Sequence, residues 1–149
     1  MPTHVLVAVD GSPQSERAVT FVADEWGDAS TTLLHVIDPV QAGYDASVLP
    51  SGSEAWYRSA KEGADDLLTE SRERLVAARR DADPGAGYDI DTRTDVGRPA
   101  ATIVEVGDEL DADHVVVGSH GRQGVSRLVL GSVAEAVVRR SPVPVTVVR

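Results

Sequence analysis

The chain has 149 residues, a formal net charge of −10 and no cysteine. Its length suits one domain, residues 1–149, with a core of its own. Its charge argues against unspecific binding to nucleic acid or anionic membrane, which requires positive charge to displace phosphate counterions, and the missing cysteine excludes disulfides, thiol catalysis and cysteine-ligated metals.

Asp dominates the acidic residues and Lys61 is the one lysine, a bias suited to a salt-rich cytoplasm in which an acidic surface stays hydrated and its self-repulsion is screened. An ordinary acidic protein is the alternative. No basic-then-apolar leader is visible and no apolar run approaches membrane-spanning length, so the expectation is a soluble cytoplasmic protein.

In chain order, residues 4–9 are a valine-rich apolar run suited to a strand buried on both faces of a parallel sheet. Asp10-Gly11-Ser12-Pro13 stops it, and Ser12 as cap with Pro13 at the first helical position predicts a helix to Trp26. Ala18, Phe21, Val22 and Trp26 then face the sheet. Residues 30–37 read as the second strand, which completes a right-handed parallel unit.

Between 38 and 53 the composition shifts to Pro, Gly, Ser and Asp, the mark of an irregular excursion. A long helix follows over 54–80, with Trp56, Ala60, Ala64, Leu67, Ser71, Leu75 and Ala78 on one stripe and the charges on the other faces. It is expected to cover the sheet and to carry no site. Asp83-Pro84-Gly85 breaks the chain, and 88–96 alternates as an edge strand would. Gly97-Arg98-Pro99 opens a third helix to about 110, and 115–117 is the fourth strand. A last helix over 133–140 leads through Ser141-Pro142-Val143-Pro144 to a terminal strand, 145–148. Five strands alternating with four helices predict a doubly wound, Rossmann-like α/β fold with helices on both faces.

The fourth strand runs into Gly118-Ser119-His120-Gly121-Arg122-Gln123-Gly124, and the loop ends in Gly131-Ser132. Ser132 is expected to cap the helix while the first-turn N–H groups, at the positive end of the helix dipole, point into the loop. Such an arrangement receives phosphate. Gly118, Gly121 and Gly124, without Cβ, are expected to allow positive φ and close approach of a ligand to the main chain.

Gly118-x-x-Gly121, nine residues, then Gly131-Ser132 resembles the nucleotide-binding signature of the universal stress protein family, in its ATP-binding subgroup. The likeness extends through residues 5–10, 33–38 and 97–99 to 144–148. It implies the strand order 3-2-1-4-5, which puts Asp10 and the glycine loop in one crevice. It also implies that Ala8 and Val36 border an adenine, that Val133 belongs to the same site, and that the terminal strand, Val143 to Val148 for this pairing, lies against its copy across a two-fold axis. Asp10 is a turn former on its commonest reading. As a site residue it would accept from ribose hydroxyls or hold Mg carried by the phosphates, which the resemblance favours.

Arg122 and Arg127 can offer charge-assisted contacts to phosphate or be solvated surface groups. His120 is a candidate ligand neighbour, whereas His4, His35 and His114 lack the spacing of a zinc helix and read as structural. Gly118-Ser119-His120-Gly121 is not a nucleophile elbow, and neither a P-loop nor a dinucleotide fingerprint is present. Three functions follow in order: an ATP-binding regulatory protein of the stress response acting as a dimeric nucleotide-dependent switch; a slow ATPase or nucleotidyl-transfer enzyme; a dimeric interaction module with an empty pocket. No catalytic base beyond Asp10 is evident, so turnover is expected to be weak.

Overall fold

A computed structural model describes residues 1–40, 53–85, 87–120 and 129–149. Strands and helices alternate: β1 (His4–Ala8), α1 (Pro13–Glu25), β2 (Ser30–Ile37), α2 (Ser53–Ala82), β3 (Ile90–Val96), α3 (Pro99–Glu109), β4 (His114–Gly118), α4 (Ser132–Arg140) and β5 (Val145–Val148). All strand pairs are parallel, in the order β3-β2-β1-β4-β5. Val5 lies opposite Thr31 on one side and His114 on the other, and Gly118 lies opposite Val148.

The two-residue period of a strand sends alternate side chains to opposite faces. On β1, Val5 and Val7 join Val19 and Val22 of α1, Leu68 and Leu75 of α2, and Leu33 and Val116 of the neighbouring strands. Leu6 points the other way and packs with Leu34, Val115 and Val117, Ile103 and Val106 of α3, and Val137 of α4. Each fully buried aliphatic side chain contributes about 1.5–3 kcal/mol relative to exposure. The central strands β1 and β4 are almost continuously apolar, which is why they read so clearly in the sequence.

Helix starts follow local chemistry. Ser12 is the N-cap of α1: the Ser15 N–H donates to Ser12 Oγ at 3.1 Å, and Pro13 occupies the first turn. Pro99 does the same for α3 without a side-chain cap. At α4 the cap position belongs to Gly131, with Ser132 already inside the helix, so the expected Ser132 cap is replaced by a glycine that makes no side-chain bond.

On α2 the buried stripe is Ala64, Leu68, Ser71, Leu75 and Arg79. Leu67 and Ala78 are only partly buried, and one charge leaves the solvent face altogether: Arg79 is 2% exposed. Its Nη2 donates to the Ala29 carbonyl at 2.8 Å and to Thr31 Oγ1 at 2.7 Å. The far end of α2 is thereby tied to the turn between α1 and β2. Burial pushes the guanidinium below the ordinary arginine range, opposed by the negative charge of Asp28 and by Tyr88 and Asp89. No described helix is long and apolar enough to cross a membrane.

Candidate functional site

β1 and β4 are neighbours at the middle of the sheet, and the helices that follow them depart to opposite faces. A crevice must open beyond their carboxyl ends. The chain leaves a cavity of about 630 Å³ there. Ala8, Asp10, Val36, Gly118, Ser119, His120, Gly131, Ser132 and Val133, all singled out from sequence, line it together. Gly121, Arg122 and Gly124, and with them Arg127, lie outside the described residues.

Asp10 closes the turn between β1 and α1. Its Oδ1 accepts from the Ser12 N–H at 2.9 Å, and its own N–H donates to Ser15 Oγ at 3.3 Å. Between them Gly11 sits at φ 82°, a conformation that glycine adopts without steric cost. The turn-forming role of Asp10 is thus realised, with its carboxylate group on the cavity wall.

Close backbone packing requires glycine at two positions, and at Gly118 this replaces the expected positive φ. A Cβ on Gly118 would lie 2.9 Å from Gln14 Cβ and 3.0 Å from the Ser15 nitrogen, so α1 can seat against the end of β4 only if residue 118 has no side chain. A Cβ on Gly131 would meet the Ser119 carbonyl oxygen at 2.9 Å and His120 Cα at 3.2 Å. The Gly131 N–H donates to that same carbonyl at 2.7 Å. Positive φ is absent at both; they are glycine because backbone packs against backbone. The result serves a ligand nonetheless, because the uncapped start of α4 is pressed against Ser119 and His120 at the cavity wall.

His120 is 6% exposed. Its Nδ1 shares a hydrogen bond with Ser119 Oγ at 3.1 Å, and its carbonyl oxygen accepts from Ser12 Oγ at 3.4 Å. Its Nε2 is buried and has no hydrogen-bond partner among the described residues. An unpaired buried polar atom costs about 1–3 kcal/mol, and here it stands beside the positive end of a helix dipole. An anion with acceptor oxygens would satisfy both.

The other histidines differ. His4 Nε2 pairs with Thr32 Oγ1 at 2.9 Å, and His114 Nε2 with Thr146 Oγ1 at 2.7 Å, both near the amino ends of the strands. His35 donates from Nδ1 to the Val9 carbonyl at 2.7 Å and also lines the cavity.

The sequence assigns α2 no separate site; in the structure part of the helix lines the same cavity. Trp56, Ala60, Gly63, Ala64 and Leu67 form an apolar wall of the cavity. The apolar stripe was visible in the sequence; its reach past the carboxyl end of the sheet follows from the helix being 30 residues long, far longer than the strands it covers. Asp10 and Asp38 bring carboxylates to the lining, and no Lys or Arg stands among the described lining residues. Among the described residues no group of three or more His, Asp or Glu could hold a metal unaided.

Comparison with known proteins places this geometry. The model of the universal stress protein family matches residues 1–149. A universal stress protein of Staphylococcus saprophyticus is 34% identical over 97% of this chain and 82% of its own length. The solved structure of universal stress protein UspA from Lactobacillus plantarum superposes with a TM-score of 0.79 at 25% identity, covering 99% of this chain and 97% of the other. A universal stress protein crystallised in complex with cAMP superposes with a TM-score of 0.67 at 32% identity, with the same two coverages.

Proposed function

The chain belongs to the universal stress protein family, and from that premise we propose that its cavity binds an adenine nucleotide, with ATP as the ligand. The observation that carries the reading is His120: a buried imidazole nitrogen without a partner, at the wall where α4 begins without a cap. Phosphate oxygens would accept from that nitrogen and from the first-turn N–H groups of Ser132 and Val133. The base fits an apolar slot between Ala8 and Val36, with main-chain groups at the end of β2 reading its polar edge. Asp10 would accept from ribose hydroxyls or serve as one ligand of Mg that arrives on the phosphates, since the described residues build no metal site of their own. The 32%-identical relative in complex with cAMP supports the class of ligand.

We further propose a dimeric switch of the stress response in which bound nucleotide alters the surface or the assembly. β5 is an edge strand, and its four residues Val145–Val148 are half-buried in the monomer. An apolar edge is a liability unless covered, and pairing with the same strand of a second copy covers it under two-fold symmetry. Val145→Asp with Val147→Asp is expected to give monomers by light scattering; an unchanged dimer refutes that pairing.

The test of the main reading is to denature the purified protein in high potassium chloride and identify the released small molecules by mass spectrometry. A stoichiometric adenine nucleotide supports binding. Fast conversion of added ATP to ADP would favour the slow-enzyme reading, and a protein that neither carries nor takes up adenine nucleotide would overturn both.

A further inference from the structure

Resting on the nucleotide reading above, we propose that Arg98 is a further binding residue: its guanidinium, at the start of α3 beside the cavity, contacts the base of the nucleotide and not the phosphates. Arg98 breaks the rules of its own helix. It is the N-cap of α3, a position that favours Ser, Thr, Asp or Asn because their side chains accept from first-turn N–H groups. A guanidinium carries donors only and cannot cap, and Arg98 makes no side-chain cap bond. Its charge also stands at the positive end of the helix dipole, with no acidic residue in the first turn to offset it.

The surface does not compensate. Arg93, on the preceding strand, pairs with Asp95 at 2.7 Å and with Glu109 at 2.7 Å. Arg98 is exposed and enters no ion pair among the described residues, although the chain has 24 acidic residues against 14 basic ones. A planar set of donors is thus held out where the described chain supplies no acceptor. A residue that weakens its helix without a gain elsewhere in the fold marks a place kept for something outside it.

Position identifies the partner. The Gly97 N–H donates to the Ile37 carbonyl at 2.9 Å, which ties the approach to α3 to the carboxyl end of β2. Pro99, directly after Arg98, lines the cavity together with Val36, Ile37 and Ile103. Arg98 therefore stands just outside the lining on the side where the base would sit. The start of α4, which would take the phosphates, follows β4. In the order β3-β2-β1-β4 that strand is three spacings from β3, about 14 Å across the sheet. A guanidinium stacks on the face of a base or donates to a ring nitrogen. Both contacts depend on the base alone.

The test compares ATP, AMP and adenosine, which share the base and differ in phosphate charge, by calorimetry on the full chain. In Arg98→Gln, every one of the three that binds the parent is expected to lose affinity by the same factor, about three- to tenfold. Arg98→Ser supplies the missing cap, so its melting temperature without nucleotide should rise by about 2–4 °C, with the same loss of affinity. A loss that grows from adenosine to ATP overturns the proposal in favour of a phosphate contact. Unchanged affinities overturn it in favour of a solvated surface arginine and leave the nucleotide reading intact. A lower melting temperature in Arg98→Ser overturns the premise that the arginine weakens its helix. A parent that binds none of the three overturns the nucleotide reading, and this proposal with it.

Discussion

The two ends of the sheet differ in how far the protein itself satisfies a buried polar side chain. At the amino end Arg79 inserts a guanidinium among acceptors that belong to the chain, the Ala29 carbonyl and Thr31 Oγ1. At the carboxyl end His120 leaves Nε2 without any acceptor, next to a helix start that offers only donors. At the amino end the protein's own oxygen atoms hold Arg79 through Nη2, although its Nε is buried without a hydrogen bond, whereas the one outward nitrogen of His120 has no acceptor among the described residues. The contrast separates a buried polar group that holds the fold from one that holds a ligand: the first should matter for stability and the second for binding.

The sharpest way to break the contrast is Arg79→Met. It leaves the Ala29 carbonyl and Thr31 Oγ1 without their donor, and a loss of about 1–3 kcal/mol is expected by urea unfolding with nucleotide affinity unchanged; a variant as stable as the parent would show that the amino end is not held this way. Next come the glycines. Gly131→Val drives methyl groups into the Ser119 carbonyl and His120, so we expect about 1–3 kcal/mol of destabilisation together with loss of nucleotide binding by calorimetry. Gly118→Val should cost a similar amount through α1, and near-native stability in both would contradict the close backbone approach.

His120→Gln is expected to invert the Arg79 result, with stability within about 1 kcal/mol of the parent and nucleotide affinity at about pH 7 lowered roughly tenfold. Equal affinity would remove His120 from the site. The smallest effect belongs to His114, which packs against Trp26 at a ring separation of 4.5 Å. Burial holds its imidazole below the ordinary histidine range, partly offset by Asp113. The unfolded chain then binds the proton more readily than the folded one, so this contribution is present above about pH 6.5 and lost as pH falls below it. His114→Gln should flatten that part of the stability curve by about 1 kcal/mol or less, measured by thermal unfolding across pH.

Much of the fold was legible because it rests on local rules. Ser12-Pro13 starts α1 by cap chemistry, and the Val-rich cores of β1 and β4 announce strands buried on both faces. Arg79 was illegible because its partners lie 48 to 50 residues earlier, in a turn whose carbonyls carry no mark in the sequence. The glycine pattern showed where the site is but not why two of its glycines are needed. Gly118 answers to Gln14 and Ser15 of α1 and Gly131 to the backbone of Ser119 and His120 just past β4, contacts that spacing along the chain does not encode. The cavity wall from α2 was missed for a geometric reason: a stripe of apolar residues tells which face is buried, not how far the helix overhangs the strands beneath it.

The last strand is only four residues long, yet its closing carbonyl, that of Val148, accepts the Ser119 N–H at 2.7 Å. The end of β5 thus anchors the residue next to His120. A substitution that displaces the Val148 carbonyl, such as Val148→Gly loosening β5, would therefore reach the cavity rim through a single bond.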